Sequence, residues 1–103
     1  MNKYANHHGY SDVTPYEVVR VISDKTIEIR EMDSERDESV ELKWAVGGFA
    51  GHCVNQRDQK WHIKSNSENR VVRIRLTKKG WKDAHGGRYD LADQPRRFYD
   101  YNF

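Results

Sequence analysis

Within RVVRIRLTKK, Arg73 and Arg75 alternate with Val72, Ile74 and Leu76, so a strand here would carry both guanidinium groups on one face, about 7 Å apart, and the apolar residues on the other. A planar guanidinium bonds two phosphate oxygens at once, which suits such a pair to gripping an anion. Lys78 and Lys79 follow at a turn, and Arg88, Arg96 and Arg97 lie further along. Trp81, Tyr89 and Phe98 are interleaved with these cations, and a ring face can hold a stacked base for about 1 to 3 kcal/mol. Together these residues describe a surface for a phosphate-bearing ligand, either nucleic acid or a nucleotide. The competing reading is a strand edge guarded by positive charge.

Other chemistries fit the spacing less well. His7, His8, His52, Cys53 and His62 lack the paired spacing of structural zinc or the three placed ligands of catalytic zinc, so no metal and no cofactor is expected. Cys53 and His52 are strand neighbours whose side chains face opposite ways, and neither an oxyanion hole nor an orienting acid can be named for a Cys53–His62 pair. The protein is therefore expected not to be an enzyme. The acidic run DSERDES lacks the alternation and central glycine of a calcium loop, and AVGGFAGH has no Lys-Ser or Lys-Thr ending to make a phosphate loop.

The 103 residues fit one domain, and a mean hydropathy of −1.05 leaves a thin core in which three Trp, six Tyr and three Phe must supply much of the buried area. Charge is uneven along the chain. Residues 1–50 hold six Lys or Arg against ten Asp or Glu, net −4, whereas residues 51–103 hold twelve against six, net +6, in agreement with the overall +2. Cys53 is the only cysteine, so an internal disulfide is excluded. No basic start with an apolar run and no apolar stretch of roughly 20 residues is present, which points to a cytoplasmic protein with no membrane partner.

The elements that must position the cations read as short strands. Residues 1–15 show no periodicity and are expected to be an N-terminal arm or lead-in loop, with a single β domain over 16–103. YEVVRVI and TIEIREM, joined by Ser23, Asp24 and Lys25, form a predicted hairpin. DSERDES is expected to be a charged loop, and the alternation of Val40, Leu42 and Trp44 predicts a third strand. Gly47, Gly48 and Gly51 suit a flexible loop. Trp61 and Ile63 mark another strand, and RVVRIRLTK is the clearest. Turns follow at Lys78–Gly80 and at Gly86 and Gly87. If the end of the chain is extended, Tyr99, Tyr101 and Phe103 share a face, and a last strand would seal a barrel at on the order of 2 kcal/mol per buried ring. The fold class is all-β, a small antiparallel barrel or strongly curled sheet of the Src-homology type, with little or no helix. Paired edges leave a homo-oligomer open.

YSDVTPYEVVRVISDKTIEIR, with Pro15 and Lys25-Thr26-Ile27, and RIRLTKKGWKDAHGGRYDLADQPRRFYDYNF, with its Gly-Trp turn, Arg pair and aromatic finish, resemble the two ends of a group of small phage and prophage proteins of undefined activity. The middle, residues 31–59, does not share the likeness. The resemblance implies a viral origin and an accessory protein acting in the cytoplasm of an infected bacterial host, where such proteins often interfere with antiviral defences. Two functions are carried forward: capture of a nucleic acid or nucleotide signal by the basic face, or inhibition of a host defence protein, including a CRISPR effector, with the acidic loop imitating nucleic acid.

Overall fold

The structure, a computed structural model, describes residues 2–47 and 50–102. Among the described residues lie ten strands, β1 (Tyr4–His8), β2 (Val13–Ser23), β3 (Thr26–Glu31), β4 (Asp33–Arg36), β5 (Trp44–Gly47), β6 (Ala50–Cys53), β7 (Trp61–Lys64), β8 (Val71–Thr77), β9 (Gly80–Lys82) and β10 (Arg88–Ala92), and one 3-10 turn at Gln56–Asp58. Six of them close an antiparallel barrel in the order β1-β10-β9-β8-β3-β2, which is the all-β class anticipated above. Among the described residues no helix is long and apolar enough to cross a membrane.

The barrel consists of two three-stranded meanders. The β2–β3 hairpin forms as predicted, with Ser23 opposite Thr26 and Tyr16 opposite Glu31. Register shifts at Val19 and Ile22 bend β2, as bulges do, and let this 11-residue strand curl around the barrel. Ile27 and Ile29 point inward and are fully buried, with Ile74 from β8, Ala5 from β1 and Tyr89 from β10 completing the core. Tyr16, Val18, Val72, Trp81 and Leu91 pack around them.

Residues 1–15 are not a lead-in arm. β1 pairs with both β2 and β10 and closes the barrel, and Val13, Thr14 and Pro15 already belong to β2. The strand is hard to read because its inward positions are Ala5 and His7, which carry no apolar alternation. Its outward Asn6 is nevertheless buried: the side-chain amide donates to Gln94 O at 3.2 Å and its carbonyl accepts from Arg96 N at 2.9 Å.

Between β3 and β8 the chain leaves the barrel, and two expectations are overturned there. Residues 33–36 are strand rather than loop, because pairing with β7 sets Asp33 opposite Lys64 and Glu35 opposite His62, so charge complementarity replaces apolar alternation. Val40 and Leu42 lie outside any strand, and Trp44 begins the β5–β6 ribbon instead. Gly48, Phe103 and the side chain of His52 lie outside the described residues.

Among the described residues no final strand seals the barrel. Phe98 makes a single bridge to Val13, and residues 99–102 fold back under the projecting segment. Side-chain amides fasten them there. Gln59 donates to Tyr99 O at 2.9 Å and accepts from Tyr99 N at 2.9 Å and Trp61 Nε1 at 2.7 Å. Gln56 accepts from Tyr101 N, and Asn102 brackets Cys53 by accepting its N–H at 2.7 Å and donating to its carbonyl at 2.9 Å. Tyr101 meets Trp44 edge-on at 6.2 Å and Tyr99 at 4.8 Å. The terminal aromatic residues thus tie the 44–59 segment to the barrel base.

Replacing Gln59 by Ala strips four hydrogen bonds from this junction, the three above and one from Gln59 Nε2 to Gln56 O at 2.8 Å. We expect a loss of about 1–2 kcal/mol, read as a Tm lower by roughly 4–8 °C per kcal/mol, together with faster proteolysis at residues 99–102. An unchanged Tm would show that the tail is not a structural tie.

Candidate anion-binding face

Three strands set the cations side by side. The two-residue turn at Lys78 and Lys79 pairs Thr77 with Gly80, and counting inward brings Arg75 opposite Lys82. On the next strand Lys82 faces Arg88, and Arg88 faces His8 on β1. Ile74 and Tyr89 point inward, so Arg75 and Arg88 point outward, and neighbouring strands are about 4.8 Å apart. Arg75, Lys82 and Arg88 therefore form one unbroken transverse row. Like charges directly opposite one another destabilise a sheet, yet among the described residues none of the three makes an ion pair.

Arg73 is different. Its Nη2 lies 3.2 Å from Glu28 Oε2 on β3, and Arg20 approaches the same carboxylate from β2 at 3.8 Å. That neighbouring row is already neutralised in part, so Arg73 is not one of the unpaired cations. Arg97 is also removed from the surface set: its Nη1 donates to Val13 O at 3.0 Å, and its guanidinium lies 5.2 Å from the Trp61 ring and 5.8 Å from Tyr99. Arg96 is exposed, on the far side of His8 and Asp90 from the row.

The expected stacking rings do not form a platform. Tyr89 is 4 % exposed and Trp81 packs half-buried against the core, because both share the inward parity of β9 and β10. Phe98 is half-buried beside Val13. The exposed ring beside the cations is instead Tyr10, in the β1–β2 connection. Sequence reading missed Lys82, although the turn count through Lys78 and Lys79 would have found it.

A cleft of about 390 Å³ opens on this outer face next to the row, between the 9–12 loop and the start of β9. Lys79, Gly80, Arg88, His8, Asp90 and Tyr10 border it, with His8 Nε2 2.7 Å from Asp90 Oδ2. A larger depression of about 660 Å³ lies beneath β4 and β7 and is bordered by Glu31, Asp33, Glu35, His62, Lys64 and Arg97, a mixed lining with acids in excess. Among the described residues no group of His, Cys, Asp or Glu is arranged to hold a metal. The Cys53 thiol is buried.

The β9–β10 turn that aligns Lys82 with Arg88 is built on Asp83. Its carboxylate accepts from Gly87 N, His85 N and Tyr89 Oη, each at 2.8 Å. Gly86 adopts φ +82, and at Gly87 an added Cβ would come within 3.1 Å of His7 Nε2 and closer still to Asp83 Oδ2. Burial works to raise the Asp83 carboxyl, but these hydrogen bonds and the nearby His7 outweigh it and hold it below the ordinary 3.8. Burial also lowers the His7 imidazole below 6.5, and burial with the Asp83 bond pushes the Tyr89 phenol far upward.

No protein-family model, curated protein or solved structure matches the chain.

Both His7 and Asp83 bind protons less readily when folded than when unfolded. Their stabilising contributions are thus complete above the unfolded values of 6.5 and 3.8 and fade as pH falls below each. Tm should drop in an acid limb beginning near pH 6.5. His7→Asn should flatten its upper part and Asp83→Asn its lower part, and superimposable Tm–pH curves for all three proteins would contradict the assignment.

Proposed function

We propose that the protein is a non-catalytic, phage-encoded accessory module that captures a phosphate-bearing ligand, and that the transverse row of Arg75, Lys82 and Arg88 is the contact surface. The observation that supports this is the row itself: three cations at β spacing, opposed to one another and unpaired, which an anion would relieve. Proteins that break a local rule in this way commonly do so at functional sites. Lys78 and Lys79, exposed at the β8–β9 turn, add positive charge along the strands from the row. Because the Trp81, Tyr89 and Phe98 rings are turned inward or half-buried, recognition falls mainly on phosphates rather than bases, as in sequence-independent binding of nucleic acid.

The rival reading, an acidic segment imitating nucleic acid toward a host defence protein, draws less support from the geometry. Asp33 accepts from Asn66 and Asn69, and Asp37 from Ser39, so two of the carboxylates that would do the imitating are already engaged.

The test is fluorescence anisotropy with a 12-nucleotide single strand across a salt series. Three phosphate contacts give a slope of log K against log salt of about −2. The triple variant Arg75→Ala, Lys82→Ala, Arg88→Ala should abolish binding and flatten the slope. It should also raise Tm, since each opposed like-charge pair costs about 0.2–1 kcal/mol. Retained affinity in the triple variant would refute the reading.

A further inference from the structure

We propose that the second half of β2 is a docking edge for another copy of this chain, the two β2 strands pairing antiparallel about a two-fold axis. β2 has 11 residues, but β1 lies beside it only from Val13 to Glu17, with one further bond from Val18 N to Lys3 O at 2.9 Å. Beyond that point a crease of about 360 Å³ lies between Asn2, Lys3 and Tyr4 on one side and Val18 and Val21 on the other. Among the described residues, 19–23 pair with β3 alone, so their other edge presents backbone N–H and C=O groups with no strand to receive them. The edge is apolar as well as open. Val21 is 52 % exposed, and Val19 and Ile22 are exposed beside it. Single valines on a surface need no explanation, but three such residues on an unpaired strand edge are what an added strand covers.

The order of residues along the edge selects its own copy as the occupant. Arg20 and Asp24 stand two residues to either side of Ile22. Antiparallel pairing centred on Ile22 therefore sets Arg20 against the partner's Asp24 twice, once on each side of the axis, and Val21 against the partner's Ser23. Both charges are available for this. The Arg20 side chain is 71 % exposed and approaches Glu28 only to 3.8 Å. Asp24, exposed in the β2–β3 turn, makes no ion pair among the described residues. Pairing about a two-fold uses up the edge of both copies, so association stops at two. The register shifts at Val19 and Ile22 bend the strand and keep the contact short. A contact of about five residues a side is small for a stable dimer, so the association is weak and depends on concentration.

Sedimentation equilibrium of the full chain between about 10 µM and 1 mM should show a monomer–dimer equilibrium. Arg20→Glu and Asp24→Arg each set like charges opposite one another and should weaken it about tenfold. The double variant, which exchanges the two charges, should return it to the wild-type value. Ile22→Lys brings two lysines together on the axis and should abolish the dimer independently of those charges. Tm of each variant reports that it is folded. Recovery on charge exchange marks self-pairing in this register, since neither a foreign peptide on the edge nor indiscriminate sticking through Val21 would produce it. A monomer at every concentration, a dimer indifferent to the single changes, or a double variant no tighter than the singles overturns the proposal and leaves the cation row standing.

Discussion

The antiparallel pairing of β1 with β10 is the contact on which the molecule depends. It joins His8 to Arg88 and Tyr4 to Ala92, so it abolishes both free edges of a six-stranded sheet whose fully buried interior amounts to a few residues. A core this small does not hold an open sheet in shape by apolar burial alone. Closure brings His7, Tyr16 and Tyr89 into one aromatic group, with Tyr16 and Tyr89 edge-on at 5.4 Å and His7 4.9 Å from Tyr89. Asp83 then anchors the group through the Tyr89 hydroxyl.

The same closure fixes the outer face. Once β1, β10 and β9 are in register, Lys82 and Arg88 have no freedom to avoid each other along the strands. Asp83 secures the turn between them from the inner side, where its carboxylate is spent on Tyr89 and backbone amides rather than on the neighbouring cations. In the β9–β10 hairpin the cations Lys82 and Arg88 therefore stand outside while the Asp83 carboxylate is committed inside. The arrangement makes Asp83 the residue that keeps the cation pair aligned without neutralising it.

The hairpin of β2 and β3 and the strand β8 were legible because branched apolar residues alternate there with polar ones over several positions. β1 was not, since Ala5 and His7 fill inward sites that are narrow or polar. β4 was not, since it is held by opposed charges rather than by an apolar face. The cation row was half legible: the parity of Arg73 and Arg75 could be read, but that Glu28 would claim Arg73 depends on which strand lies alongside. The rings were misjudged for a simple reason. In strands as short as β9 a shift of one residue exchanges inside for outside, and composition alone does not fix that shift. The tail was legible as an anchored segment and not as a strand, because its partners are the side-chain amides of Gln56 and Gln59.

The order of assembly follows from which strands are partners. β1 is made early and its second neighbour late, and at 5–20 residues per second the interval between His8 and Arg88 lasts between roughly 4 and 16 s. During translation β1 can pair with β2 but has an open side, and β3 waits likewise for β8. β1 and β3 therefore each keep one edge unpaired until the second meander has been made, and the barrel cannot close before then.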